Sequence, residues 1–361
     1  MSDRRWPGRE VAGVPGRGGR FEEYWPVDIE RLRPNDSYGR MGEIRRERMR
    51  FYRDGEGRLR EELVERVPCP VCGETPCDVE FEKEGFTFVR CRACGLVYVN
   101  PCLKDELVTQ VYKHQSYSDI MRSLMEPSAA YRRERFGVER VQILNRFVRA
   151  THRPGRRVLD VGCATGFFLE AAAADGWEAC GVEANPYQAD FARQRGLNVR
   201  NETIEESSFE EGSFDAVTMF EVIEHVKRPM RVLEKARALL RPGGMVFVYT
   251  PNFDCAERLL VGTEAHFIWG SNHLTYFTAD TLRGALERAG FAVEHAETQG
   301  LDVEDTIWHF EHAGTHDMGF ARAFRHELQF LFNAGGWGKN LRMYARRPDG
   351  PQGPAAAHGG A

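Results

Sequence analysis

The stretch VLDVGCATGFFLEAA (Val158–Ala172) decides how the rest of the chain is read. A buried-strand run, Val158-Leu159, meets an acid, Asp160. Two glycines follow, Gly162 and Gly166, and then a helix-like pattern. A strand that enters G-x-x-x-G and leaves as a helix makes a tight turn with little side-chain bulk. A nucleotide-like ligand can then lie against backbone at the carboxyl edge of a sheet. The order differs from the G-x-G-x-x-G of dinucleotide sites, and no phosphate-binding Lys-Ser/Thr pair follows it. A second acid, Glu183 in GVEANP, ends the next strand and can accept both hydroxyls of a ribose.

Outward from that loop the pattern alternates. RRVLDVG, WEACGVEA, LNVRN, FDAVTMF, GMVFVYTP, FAVEHAET and KNLRMYARR read as strands. FFLEAAAADG, NPYQADFARQRG, the stretch from Glu221 to Gly244 and TADTLRGALERAG read as helices. Alternation of this kind predicts an α/β doubly wound sheet covered on both faces. Residues 153–348 form this unit. Segments 253–275 and 301–337 are long insertions of the kind that build an acceptor pocket or a dimer contact. Their His266, His309, His312 and His316 read as ordinary packed or surface histidines, and Phe267, Trp269, Tyr276, Trp308 and Phe310 read first as core.

Ahead of this unit the chain changes character. Residues 1–65 are polar and rich in Arg and acids, disordered to about residue 20, with a charged helix predicted over 44–64. Residues 66–101 carry Cys69-Pro-Val-Cys72 and Cys91-Arg-Ala-Cys94. The spacing is that of a zinc ribbon, in which four thiolates close a tetrahedral structural site. Cys77 and Cys102 are spare; Cys163, Cys180 and Cys255 read as small buried residues. Residues 102–152 show helical spacing, a connector or lid, and 349–361 read as a disordered tail.

Composition bounds the function. The 361 residues carry 49 basic and 54 acidic side chains, a formal charge of −5, which argues against a general nucleic-acid binder. No apolar run is long enough to span a membrane, and no signal segment opens the chain. Nine cysteines without such a signal suggest a reducing cytoplasm.

Five stretches in order, VLDVGCATG, GVEANP, GSFDAVTMFEVIEHV, LLRPGGMVFVYTPN and HLTYFTADTLRGALERAGF, resemble the class I S-adenosylmethionine (SAM)-dependent methyltransferases. The resemblance covers roughly residues 155–296. It implies a seven-stranded sheet of order 3-2-1-4-5-7-6 with strand 7 antiparallel. It implies that SAM lies against Asp160, Gly162, Cys163, Gly166, Glu183, Ile204 and Phe220. Ala164 departs from the family's frequent glycine. The run E-V-I-E-H is similar to metal-dependent O-methyltransferases, both the small-RNA 2′-O-methyltransferases and the ubiquinone-pathway enzymes. Glu221, Glu224 and His225, three and four residues apart, are predicted on one helical face, with His273 as a further match. They are the candidate catalytic residues and candidate ligands of Mg²⁺ or Mn²⁺.

The expected function is therefore O-methylation of a small hydroxylated metabolite, a sugar, nucleotide-sugar or phenolic intermediate. Rival readings are an RNA methyltransferase, a sugar C-methyltransferase and a SAM-binding scaffold without catalysis.

Overall fold

The computed structural model describes residues 24–34, 37–108, 126–148 and 156–350. The predicted disordered N-terminus to residue 20 and most of the predicted tail lie outside these residues. Seven strands form the main sheet: β6 (Arg156–Val161), β7 (Trp177–Val182), β8 (Asn198–Arg200), β9 (Phe214–Phe220), β10 (Leu240–Pro251), β12 (Ala292–Gln299) and β13 (Asn340–Arg346). Their order is β8-β7-β6-β9-β10-β13-β12. The first five are parallel, and β13 runs antiparallel to both neighbours. This is the expected order, with the expected antiparallel strand 7.

The sheet is covered on both faces, as expected of parallel strands that read as near-continuous apolar runs. FDAVTMF is buried along all of β9 up to Phe220. One apolar cluster joins Leu159, Val217 and Val246 to Leu233 and Leu286 of the helices Pro229–Leu239 and Ala279–Arg288. The other joins Val158, Ala216 and Phe247 to Leu144 and Phe168. Local signals fix the helix starts. The Asn185 side chain accepts from Tyr187 N and Gln188 N ahead of Pro186, and Thr278 forms a capping box with Thr281.

Two expectations need correction. The charged helix predicted over 44–64 spans Ser37–Tyr52 instead, because Asp54-Gly55-Glu56-Gly57 closes a turn in which Asp54 Oδ1 accepts from the backbone of Glu56 and Arg58. The helix predicted from Glu221 begins only at Pro229. Inside a helix that proline would delete a backbone hydrogen bond; at the first position its missing N–H costs nothing. The residues between form a single 3₁₀ turn, Ile223–His225.

The Cys-rich stretch makes β2 (Cys77–Lys83), β3 (Phe86–Cys91) and β4 (Val97–Val99), and its sheet is completed from far along the chain. β11 (Thr275–Tyr276) pairs with β4, giving the order β11-β4-β3-β2. Cys69, Val89 and Tyr98 belong to the same apolar cluster as Leu159 and Val217 of the main sheet. The four sulfurs converge. Cys69 and Cys94 Sγ are 3.5 Å apart, Cys72 and Cys91 Sγ 3.4 Å, and all four lie within 4.8 Å of one another. Tetrahedral zinc with Zn–S bonds of about 2.3 Å needs sulfurs roughly 3.8 Å apart, so the residues fit the ion. The structure thus makes the Cys-rich unit and the methyl-transfer domain share one sheet and one core.

Candidate functional site

At the carboxyl edge of the sheet, β6 ends on the glycine loop. Gly162 and Gly166 have φ of +66° and +83°. A Cβ on Gly166 would stand 2.3 Å from Leu197 Cδ1, and one on Gly162 2.8 Å from Val222 Cγ2. Ala164 takes φ +47°, a region that costs a residue with a Cβ about 1 kcal/mol. Two neighbouring substitutions should therefore act in opposite directions. Ala164→Gly is expected to raise stability by up to ~1 kcal/mol, and Gly166→Ala to lower it by ~2 kcal/mol. Thermal melts of both variants check the loop.

The loop opens into a cavity of about 800 Å³. Asp160, Gly162, Cys163, Glu183, Ile204 and Phe220 all line it. Gly166 does not; it shapes the turn behind. Glu183 is oriented by the loop itself, accepting from Ala164 N at 2.9 Å and from Asn185 N at 2.8 Å. Asp160 is buried and accepts from Thr218 Oγ1 at 2.7 Å. Burial pushes its carboxyl up to about 7, against the pull of the Thr218 hydrogen bond and the Arg140 charge, with Glu183 adding a small upward push.

A second cavity of about 670 Å³ lies beside the first. Arg132, Arg140, Phe167, Glu221 and His225 line both, so they form the common wall. Phe267, Trp269, His273 and Trp308, all from the two insertions, line the second cavity. The aromatics Phe267, Trp269 and Trp308, read from sequence first as core, thus face this space.

The E-x-x-E-H residues do not share a helical face. Glu221 follows β9 with φ +62°, a strained value for a side-chain-bearing residue, and its N–H donates to Tyr249 O. Glu224 and His225 follow in the 3₁₀ turn. His273 comes from the segment before β11, and ligand atoms of Glu224, His225 and His273 lie within 4.8 Å of one another. Glu221 is outside that set, although its charge helps hold Glu224 well above the usual carboxylate range, after burial.

The hydrogen bonds orient the three groups. His225 Nδ1 lies 2.9 Å from Asn272 O, and His273 Nδ1 lies 2.8 Å from Phe267 O. A carbonyl only accepts, so both Nδ1 atoms carry the proton and both Nε2 atoms keep a lone pair. Burial holds both imidazoles neutral, His225 down to about 4. Glu224 is buried; its Oε2 accepts from Thr250 Oγ1 at 2.9 Å, while Oε1 has no hydrogen-bond partner and lies 3.7 Å from His225 Nε2. Two lone pairs and an unsatisfied buried carboxylate oxygen facing one another are a donor set of two nitrogens and one oxygen, and these fit a divalent cation.

A second acid–histidine cluster, Glu257, His266 and Asp305, has its charges already matched. Lys339 Nζ lies 2.8 Å from Glu257 and 2.5 Å from Asp305, and Arg33 pairs with Asp305 at 2.6 Å. An ammonium fills the place a metal would need. His266, bonded to Glu257 at 2.7 Å, is the packed histidine the sequence suggested. What sequence reading missed is the cationic wall, Arg132 and Arg140. They sit in a stretch whose only legible signal was helical spacing.

Comparison with known proteins comes to the same fold. A family model described as a methyltransferase domain matches residues 130–296. A ubiquinone biosynthesis O-methyltransferase of Xanthomonas campestris is 37% identical over 167 residues, 43% of this chain and 67% of that protein. A protein of the same name from Cereibacter sphaeroides is 32% identical over 166 residues, 43% of this chain and 66% of that one. The chain thus spans about two thirds of the length of these relatives. Among solved structures, a SAM-dependent methyltransferase of Archaeoglobus fulgidus aligns at a TM-score of 0.45 and 20% identity, over 64% of this chain and 99% of that one.

Proposed function

Because the chain belongs to the class I SAM-dependent methyltransferase family, we propose that it methylates a hydroxyl of a small metabolite such as a sugar, nucleotide-sugar or phenolic intermediate. The observation that carries this reading is the convergence of Glu224, His225 and His273 beside a wall common to two cavities. The relatives' O-methyltransferase names support the atom type, and the size and aromatic lining of the second cavity support a small acceptor.

SAM supplies a methyl group on a sulfonium, an electrophile that needs little activation. The first cavity would hold it: Glu183 would accept from the ribose hydroxyls, Ile204 would face the adenine and Asp160 would take the ammonium of the methionine part. The acceptor enters the second cavity, between Trp269, Trp308 and Phe267, with its hydroxyl at His225. A neutral hydroxyl is a poor nucleophile and must lose its proton near the moment of attack. Without an ion, His225 Nε2, a lone pair on the common wall, accepts that proton. Glu224, His225 and His273 would hold a divalent ion, which when bound lowers the pKa of a coordinated hydroxyl. Two nitrogens in the set suit Mn²⁺ better than Mg²⁺. The four cysteines hold zinc, with no open position for catalysis.

Ammonium binding by Asp160 predicts a pH dependence. The cation favours the carboxylate, so at pH below about 7 binding must expel a proton. Affinity for S-adenosylhomocysteine is then expected to be flat above pH 7.5 or so and about tenfold weaker at pH 6. The charged groups acting on Asp160 are Arg140 and Glu183. Calorimetric titration checks it, and Asp160→Asn should flatten the profile.

The function itself is tested with methyl-labelled SAM, purified protein and Mn²⁺ added to a cell extract. Products are separated by size before and after ribonuclease. Label in a small, ribonuclease-insensitive compound, attached through oxygen, supports the proposal. Label in large material that ribonuclease makes small assigns the protein to RNA instead. Label attached through carbon assigns it to C-methylation.

A further inference from the structure

Two guanidiniums on the common wall lack what every comparable cation nearby has. In the second cavity Arg33 pairs with Asp305, Arg45 with Glu84, Lys83 with Glu264, Lys339 with Asp305 and Glu257, and Arg342 with Glu139. Arg132 and Arg140 make no ion pair with a described carboxylate. Arg132 Nε donates to Ser128 Oγ at 2.8 Å. Arg140 lies 3.9 Å over the Phe220 ring, and its buried Nε has no hydrogen-bond partner. Burial and the neighbouring charges of Arg33 and Arg140 push Arg132 down to about 10, with only Glu221 opposing. Both side chains are half-buried at the cavity wall, so their remaining donors are open to an anion that enters.

The two arginines stand in different company. Arg140 lies over Phe220, which lines the first cavity and not the second, and acts on Asp160 there, on the side to which SAM would bring its carboxylate. Arg132 lines both cavities and feels the charge of Arg33, which lines only the second. SAM brings one carboxylate, and it also brings a sulfonium. With SAM in place the wall has gained positive charge, and Glu221 is the one carboxylate lining both cavities with its two guanidiniums.

We infer that Arg132 is a specificity-determining residue that grips an anionic group of the acceptor, so that the substrate is a hydroxylated carboxylate or phosphate rather than a neutral alcohol. This rests on the second cavity being the acceptor site. The planar fork of Arg132 suits either oxyanion. Held there, the anion turns the acceptor's hydroxyl toward His225 and offsets the charge of the sulfonium.

The test uses the full chain saturated with S-adenosylhomocysteine and two probes, benzoate and inorganic phosphate, titrated by calorimetry. Saturable binding of one of them is expected, and which one binds separates a carboxylate from a phosphate substrate. Arg132→Gln should weaken that binding on the order of tenfold or more, the worth of a charge-assisted hydrogen bond, and Arg132→Lys should restore part of it. Affinity for S-adenosylhomocysteine should change less than about twofold, and thermal melts should show both variants folded. Absence of saturable binding to either probe, or unchanged binding in Arg132→Gln, would overturn the inference. So would a tenfold loss of S-adenosylhomocysteine affinity in that variant, which would make Arg132 a cofactor residue. Anion binding needs no methyl transfer, so failure of the O-methylation reading would appear in the labelled-SAM experiment and not here.

Discussion

Glu224→Gln is expected to lower kcat by about 10²–10⁴-fold while leaving S-adenosylhomocysteine binding within about twofold of the parent. The side chain lines neither cavity, so the cofactor does not touch it. Its Thr250 hydrogen bond and its volume survive in Gln, so the fold is little disturbed. What is lost is the negative oxygen facing His225 and His273. Mn²⁺ binding, read by electron paramagnetic resonance on the full chain, should disappear with the activity, and chelation of the parent should reproduce the variant. A fully active Glu224→Gln protein would remove the ion from the reading. His225→Ala would then decide whether the imidazole alone is the base: a loss of about 10²-fold there, with Glu224→Gln unaffected, assigns the proton transfer to His225.

The second large effect belongs to the cysteines. Cys72→Ser is expected to empty the zinc site and to lower stability by several kcal/mol, a fall in melting temperature of roughly 10 °C. The unit shares the apolar cluster of the main sheet, but its two cysteine turns meet each other through the thiolates. The sheet then carries the damage to the site. β4 pairs with β11, Val99 N donates to Leu274 O, and Leu274 N donates to Glu224 O. Loosening the thiolate cluster therefore frees His273 and Glu224 together. Transfer activity should fall well before S-adenosylhomocysteine binding does, since the cofactor cavity is built from β6, β7 and β9. Zinc content by a colorimetric chelator and the two activities against temperature check this. A variant that melts and turns over like the parent would end the ribbon reading.

Much of this was legible along the chain. The sheet was, because a strand's burial pattern and a helix's cap are local: Asp160-x-Gly162, Asn185-Pro186 and the capping box at Thr278 sit beside the elements they begin or end. The meeting of Asp160, Glu183 and Phe220 around one cavity was, because they stand at or just past the ends of neighbouring strands on one sheet edge. The thiolate set was, because two short turns present all four sulfurs. The start of the helix after β9 is marked in the sequence by Pro229, while the spacing of Glu221, Glu224 and His225 imitates a helical face ahead of it.

Sequence by itself determined the fold class, the cofactor edge and the identity of the acids and histidines available. Only the tertiary structure decided which of them meet. Glu221 turns away from the ligand set at a positive φ, while His273 is brought to Glu224 and His225 by a strand that pairs with the Cys-rich unit. Arg132 and Arg140 became notable only once the structure placed them on the wall common to both cavities, with no ion pair to a described carboxylate. Periodicity and caps are set by neighbours in the chain and can be read there. The partners of a buried charge are set by where distant segments cross, and no local pattern records that.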